Sequence, residues 1–150
     1  EWFLSDLKTA FLLEDWINET PYDALVQKYN IWPGDVHTIV EMAEWLLHAA
    51  REYARMYNFS SVSDVGDLLI RVQNGCKEEL LNLVSLKGIG RVRARALYRE
   101  GFKTINDLRT VPLERLAKIK GIGTAVAKNI KQQIGEGIMR GNRQLRGSRR

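Results

Sequence analysis

A five-residue turn signal occurs twice in this chain, 33 residues apart: Leu86-Lys87-Gly88-Ile89-Gly90 and Ile119-Lys120-Gly121-Ile122-Gly123. The register holds on both sides. Leu80 and Leu83 match Leu113 and Leu116, while Ala94, Arg95 and Leu97 match Ala127, Lys128 and Ile130. Each copy reads as a short helix, an apolar-Lys-Gly-Ile-Gly turn and a second helix. Two copies are too few for a solenoid, which needs about three or more. Two glycines one residue apart let the backbone turn sharply and leave no side chain between its N–H groups and an approaching ligand. The second helix begins there, so its outlying N–H groups and the positive end of its dipole gather at the same spot. That is the chemistry of an anion site. Ile89 and Ile122 are expected to point back and lock each pair of helices.

Charge says which kind of anion. The 150 residues carry 23 Lys+Arg and 18 Asp+Glu, a net +5, but the two halves differ in sign. Residues 1–75 hold five basic and twelve acidic side chains, a balance of −7; residues 76–150 hold 18 and six, a balance of +12. A polyanion is therefore expected to meet the second half alone, and nucleic-acid phosphate is the polyanion that suits an amide-lined turn. Ten of the twelve glycines follow Arg71. The reading is two units with a boundary near Asn74-Gly75, at 1–75 and 76–137, then a basic tail over 138–150. The tail sets two apolar side chains against five arginines over 139–150, so little burial offsets its ordering entropy and mobility is expected.

The fold class expected is all-α. Ser5 can cap a helix to about Asn18, with Leu7, Phe11, Leu12 and Trp16 on one face. Thr20-Pro21-Tyr22-Asp23 combines an N-cap hydroxyl, a proline at the first helical position and an acid in the first turn. That helix should stop near Asn30. Asp35 caps a long helix to about Tyr57, and Ser61 or Ser63 starts another that ends at Asn74-Gly75. At ~100° per residue, Val36, Ile39, Val40, Ala43, Leu46, Leu47, Ala50, Tyr53, Ala54 and Tyr57 of the long helix form one stripe. Trp45 lies nearly opposite, with Thr38, Met42, Ala49 and Met56 near it. Spacing leaves two uses for this second face: packing on a neighbouring domain, or stacking an unpaired base, worth ~1–3 kcal/mol per base.

The doubled turn resembles the tandem helix-hairpin-helix domain of DNA repair proteins, across about residues 77–135. The resemblance implies phosphate binding by Lys87, Gly88, Ile89, Gly90, Arg91, Arg93 and Arg95 in the first hairpin, and by Lys120, Gly121, Ile122, Gly123 and Lys128 in the second. A closer likeness lies in Phe11-Leu12-Leu13-Glu14-Asp15-Trp16-Ile17, Pro33-Gly34-Asp35, Glu44-Trp45 and Gly90-Arg91-Val92-Arg93-Ala94-Arg95-Ala96-Leu97-Tyr98, in that order. Together they resemble the C-terminal end of the archaeal Holliday-junction-migration helicases, superfamily 2 enzymes, over nearly all of residues 1–137. The resemblance implies a helical bundle whose ratchet helix (about 35–57) sets Trp45 against single-stranded DNA, followed by a helix-hairpin-helix domain. The Arg-x-Arg-Ala-Arg stretch, here Arg91 to Arg95, would contact DNA and restrain the motor. The implied parent is an ATP-dependent 3′→5′ DNA helicase of replication-fork repair and recombination. Its partners would be single-stranded and forked DNA and the motor domains of its own polypeptide. Where the family's ratchet helix carries a basic residue, this chain has Thr38, so that half of the ratchet is either missing or replaced, with His37 the neighbouring candidate.

The rest of the reading sets bounds. No Gly-x-x-x-x-Gly-Lys-Ser/Thr loop occurs, so ATP and Mg are expected only in the parent helicase and no cofactor in this stretch. His37, His48 and Cys76 lack zinc spacing, and Glu14-Asp15 and Glu78-Glu79 lie in helical runs without a partner base. No catalytic residue is assigned. A single cysteine excludes an internal disulfide, and 45% hydrophobic with 27% charged residues suits a folded chain. No apolar run could span a bilayer. A cytoplasmic, nucleoid-associated location without membrane contact is expected, and Glu1-Trp2-Phe3 reads as a cut through a longer protein. Two alternatives remain: a junction-binding module of a structure-specific nuclease, and a helix-hairpin-helix protein–protein adaptor.

Overall fold

Glycine and asparagine stop signals divide the chain into helices much where the sequence places them. The computed structural model describes the backbone of residues 2–147 and the side chains of residues 3–135, and no strand occurs among them. Two compact units emerge, Glu1–Leu81 and Asn82–Arg150. The division falls a few residues beyond Gly75 because the next stretch is still held by the first unit: the Lys77 N–H donates to Glu19 Oε1 at 3.1 Å.

The first unit consists of α1 (Trp2–Ile17), α2 (Tyr22–Tyr29), α3 (Pro33–Met56) and α4 (Val62–Asn74). Asn30 ends α2 in the left-handed region at φ 47°, as its tolerance of that geometry suggests. Three starts differ slightly from expectation. Helix α1 already runs from Trp2, so Ser5 lies inside it rather than capping it. Pro21, not Thr20, precedes α2. Helix α3 begins at Pro33, so Asp35 sits in its first turn and accepts the Trp32 N–H at 2.9 Å. Proline's fixed φ suits the residue before a helix as well as its first position.

Leu12, Leu25, Tyr29, Val36, Val40 and Val72 form the core of this unit. The expected α3 stripe holds where other helices lie over it: Val36, Val40 and Ala54 are buried, with Ile39, Ala43 and Leu47 half-buried. Leu46, Ala50, Tyr53 and Tyr57 are exposed instead, as are Leu7 and Phe11 of α1. The reason is angle: at ~100° per residue Leu46, Tyr53 and Tyr57 lie about 60–100° round from Val36 and Ala54, on one flank of the stripe, while Ala54 is buried even near the end of the helix. Leu46 lines an open apolar groove of about 400 Å³ with Leu13, Ile17, Leu47 and Leu68. Tyr53, Tyr57 and Phe59 cluster on one another, with ring centroids 4.6–6.3 Å apart.

Polar ties also join the helices of the bundle. The Trp16 Nε1–H donates to the Val72 carbonyl at 2.7 Å, joining α1 to α4. Asp15 accepts from Lys28 Nζ at 2.6 Å and from the Tyr29 hydroxyl at 2.7 Å, joining α1 to α2. These donors, Lys28 foremost, hold the Asp15 carboxyl below its ordinary range. The Glu14-Asp15 pair is thus half structural.

A 3₁₀ turn (Glu78–Leu80) at the end of the first unit leads into α5 (Leu81–Val84), and the second unit goes on with α6 (Arg91–Arg99), α7 (Ile105–Thr110), α8 (Leu113–Ala117) and α9 (Thr124–Gly147). The repeat is visible in the core: Leu83 and Leu116, Ala94 and Ala127, Leu97 and Ile130 are all buried. Helix α9 packs against α7 and α8. Lys131 on α9 donates to the carbonyls of Leu108 (2.8 Å), Arg109 (3.0 Å) and Val111, closing the C-terminal end of α7. One lysine of the basic half is therefore a cap. The backbone of α9 stays helical to Gly147, where a tail was expected from residue 138. Extending an existing helix needs no new nucleus. Residues 148–150 lie outside the described residues.

A reciprocal cap starts α7. Asp107 accepts the N–H groups of Thr104 (2.8 Å) and Lys103 (2.9 Å), and its own N–H donates to Thr104 Oγ1 at 3.2 Å. These bonds, the Thr104 amide foremost, keep the Asp107 pKa below its ordinary value. A depressed carboxylate pKa stabilises the fold above the unfolded value, and that contribution is lost as pH falls through the folded one. Carboxyl NMR should show Asp107 titrating below the ordinary value of an aspartate. In Asp107→Asn the acid side of this unit's stability curve should flatten; an unchanged curve would mean the cap carries no pH dependence.

Candidate nucleic-acid interface

The two hairpins are the same structure built twice. The Leu86 N–H donates to Leu83 O at 3.2 Å and Ile89 N–H to Leu86 O at 3.0 Å; in the second copy Ile119 donates to Leu116 at 3.1 Å and Ile122 to Ile119 at 3.0 Å. The first bond of each following helix also matches: Ala94 N–H to Gly90 O and Ala127 N–H to Gly123 O, both 3.0 Å. N–H groups ahead of those bonds lie outside the helix ladder, at the positive end of the dipole. Ile89 and Ile122 are buried. They anchor each turn from below, and the glycines are left exposed at its tip.

The glycines divide by role. Gly88 and Gly121 adopt φ 84° and 86°, the left-handed region where a β-carbon is penalised by roughly 1–2 kcal/mol. Gly90 is extended at φ −84°, which any residue adopts, while its counterpart Gly123 sits at φ 26°. A β-carbon at any of the four would meet no atom within 4 Å. Backbone angle makes Gly88 and Gly121 necessary; Gly90 leaves open approach to the loop.

Basic side chains ring these loops unequally. Lys87, Lys120 and Lys128 are exposed. Arg91 and Arg95 are half-buried on α6, and the Arg95 guanidinium lies 5.1 Å from the centre of the Tyr98 ring. Arg93 is turned onto the loops: its Nη1 donates to Gly88 O at 2.8 Å and its Nε to Gly121 O at 3.1 Å. Gln133 on α9 accepts the Lys87 N–H at 2.8 Å and donates to the Lys87 carbonyl at 2.9 Å. Sequence reading missed Gln133 and the inward bonds of Arg93. One signal existed: the repeat pairs Arg93 with Val126 and Gln133 with Glu100, so both residues break the internal symmetry.

Trp45 stands apart, on α3 of the first unit. It is 69% exposed, with exposed Met42 and Met56 on the same side. The Thr38 hydroxyl bonds back to the Gly34 carbonyl at 3.2 Å. His37 Nε2 lies 3.1 Å from Glu41 Oε1 on the surface. Neither is pointed at Trp45 by a bond.

A helical bundle followed by two matched glycine hairpins defines a class of nucleic-acid-processing proteins, and comparison agrees at the level of family. Residues 79–136 match a family described as a SAM-like helix-hairpin-helix tandem, and residues 1–75 match domain 4 of archaeal helicases. The chain belongs to that archaeal helicase family. It is 39% identical over 138 residues to the ATP-dependent DNA helicase Hel308 of Methanocella arvoryzae, covering 92% of this chain and 19% of the relative. The Hel308 of Pyrococcus abyssi is 40% identical over 138 residues (91% and 19%), and that of Caldivirga maquilingensis 43% over 134 (87% and 18%). The chain spans about a fifth of the length of these relatives.

Proposed function

We propose that this chain is the DNA-gripping and strand-guiding region of an ATP-dependent 3′→5′ helicase that works on forked DNA in repair and recombination. The single observation that carries the reading is the pair of hydrogen-bond-matched glycine hairpins within a half of net charge +12. In this reading the loops at Gly88–Gly90 and Gly121–Gly123 take phosphates on backbone amides, and Lys87, Lys120, Lys128, Arg91 and Arg95 add charge. Nothing in such a grip reads bases. Trp45 stacks an unpaired base of the translocating strand, and the Arg91–Arg95 stretch restrains the motor domains of the same polypeptide. The chain has no phosphate loop, and among the described residues no cluster of metal-binding side chains. ATP and Mg would therefore bind elsewhere in that polypeptide. Among the described residues no helix is long and apolar enough to cross a membrane, and a cytoplasmic, nucleoid-associated protein fits the reading.

The test is a salt series. Fluorescence anisotropy with unrelated DNA sequences should give equal affinities, falling linearly on a log–log plot against salt. Replacing Lys87 and Lys120 together by Gln should lower the slope by about two. Gly88→Val, which strains a left-handed turn, should weaken binding while circular dichroism keeps its helical signal. Binding indifferent to salt would instead favour a protein–protein adaptor.

A further inference from the structure

Arg93 looks at first like one more phosphate ligand, yet its guanidinium is engaged by the protein itself. The group reaches both hairpins, with Nη1 on the Gly88 carbonyl and Nε on the Gly121 carbonyl. These two glycines are the ones whose left-handed φ makes each turn. The planar fork fixes its donors rigidly, so the two carbonyls are held at a set separation. From the other side, Gln133 grips the main chain of Lys87 at both its N–H and its carbonyl. Gln133 in turn donates to Asn129, one helical turn earlier on α9. Helix α9 belongs to the second hairpin and Lys87 to the first.

We infer that Arg93 and Gln133 are positioning residues that lock the two glycine loops into one rigid, two-point phosphate grip. The inference rests on the DNA-gripping reading of the same loops. Its physical content is preorganisation: two loops held beforehand avoid the ordering cost that two independent loops would meet on binding. The broken symmetry supports it. A phosphate-binding arginine would serve either copy, but the second hairpin has Val126 at this place and the first has Glu100 in place of Gln133. One cross-tie in each direction suffices, and duplicates are absent.

The discriminating variant is Arg93→Lys in the full chain, because it keeps the charge and loses the fork. A positioning role predicts about tenfold weaker DNA binding with the salt slope unchanged, since the bound state makes the same phosphate contacts. It also predicts faster amide hydrogen exchange at Ile89 and Ile122 in the DNA-free protein, with the thermal midpoint of the unit nearly kept. Gln133→Met, which carries no charge in either form, should show the same pattern, and it decides the matter should Arg93→Lys unfold the unit. The inference is overturned if Arg93→Lys keeps parental affinity and loop exchange while Arg93→Gln lowers the slope by about one, the mark of a direct phosphate ligand. Unchanged exchange in both Arg93→Lys and Gln133→Met overturns it as well. Should the parent chain fail to bind DNA in a salt-dependent way, the functional reading falls; the exchange measurement still reports whether the tie holds the loops.

Discussion

Gly75→Ala is expected to destabilise the first unit by about 3 kcal/mol, through two costs that add at one position. Gly75 ends α4 at φ 59°, where a side chain is penalised by ~1–2 kcal/mol. A β-carbon built there would also lie 2.5 Å from Cε2 of Trp16 and within 3 Å of two other ring atoms. The ring cannot yield easily, because its Nε1–H is held by the Val72 carbonyl. Overpacking of this kind costs roughly 1–3 kcal/mol. Gly34→Ala is the matched control: φ is not left-handed, no atom lies within 4 Å of the added carbon, and the site is in a helix. It should be neutral or slightly stabilising. All four tryptophans fall within residues 1–75, so tryptophan fluorescence in a denaturant series reports this unit alone. Equal midpoints for Gly75→Ala and Gly34→Ala would show that the Trp16–Gly75 contact does not constrain the fold.

What could be read beforehand follows from the range of each interaction. Helix ends at Asn30 and Gly75 depend on a few neighbouring residues, and both glycine turns depend on five, so local chemistry suffices. The pairing of buried residues across the repeat needed only the 33-residue offset. Exposure of Leu46, Tyr53 and Tyr57 could not be read this way. A stripe on a helix says which face could be buried, but only the placement of the surrounding helices says how wide a part of it is. The same limit explains Arg93. A charged residue beside an anion-binding loop looks like a ligand until the second loop, 28 residues on, is seen to offer its carbonyl. Lys131 is the parallel case, counted with the basic half and found closing a helix end.

The two central tryptophans should separate the helicase reading from a general DNA-binding one. Trp16→Ala removes a ring that packs on Gly75 and a hydrogen bond to Val72, and should cost ~3–5 kcal/mol. Trp45 is 69% exposed on the face of α3 turned away from Val36 and Val40. Truncating it should change the stability of this chain by no more than ~0.5 kcal/mol. In the full-length helicase proposed to carry this region, Trp45→Ala should cut unwinding per ATP severalfold while basal ATP hydrolysis stays near the parent rate. A stacked base holds the moving strand but supplies no group to phosphoryl transfer. Two measurements on one substitution therefore decide the role of this side chain. If Trp45→Ala unfolds the chain as badly as Trp16→Ala, the residue is core and cannot be a strand contact. If the fold survives and unwinding per ATP is unchanged, the exposed face of α3 is a seat for a neighbouring domain, and Met42 and Met56 should then be tested as part of that contact.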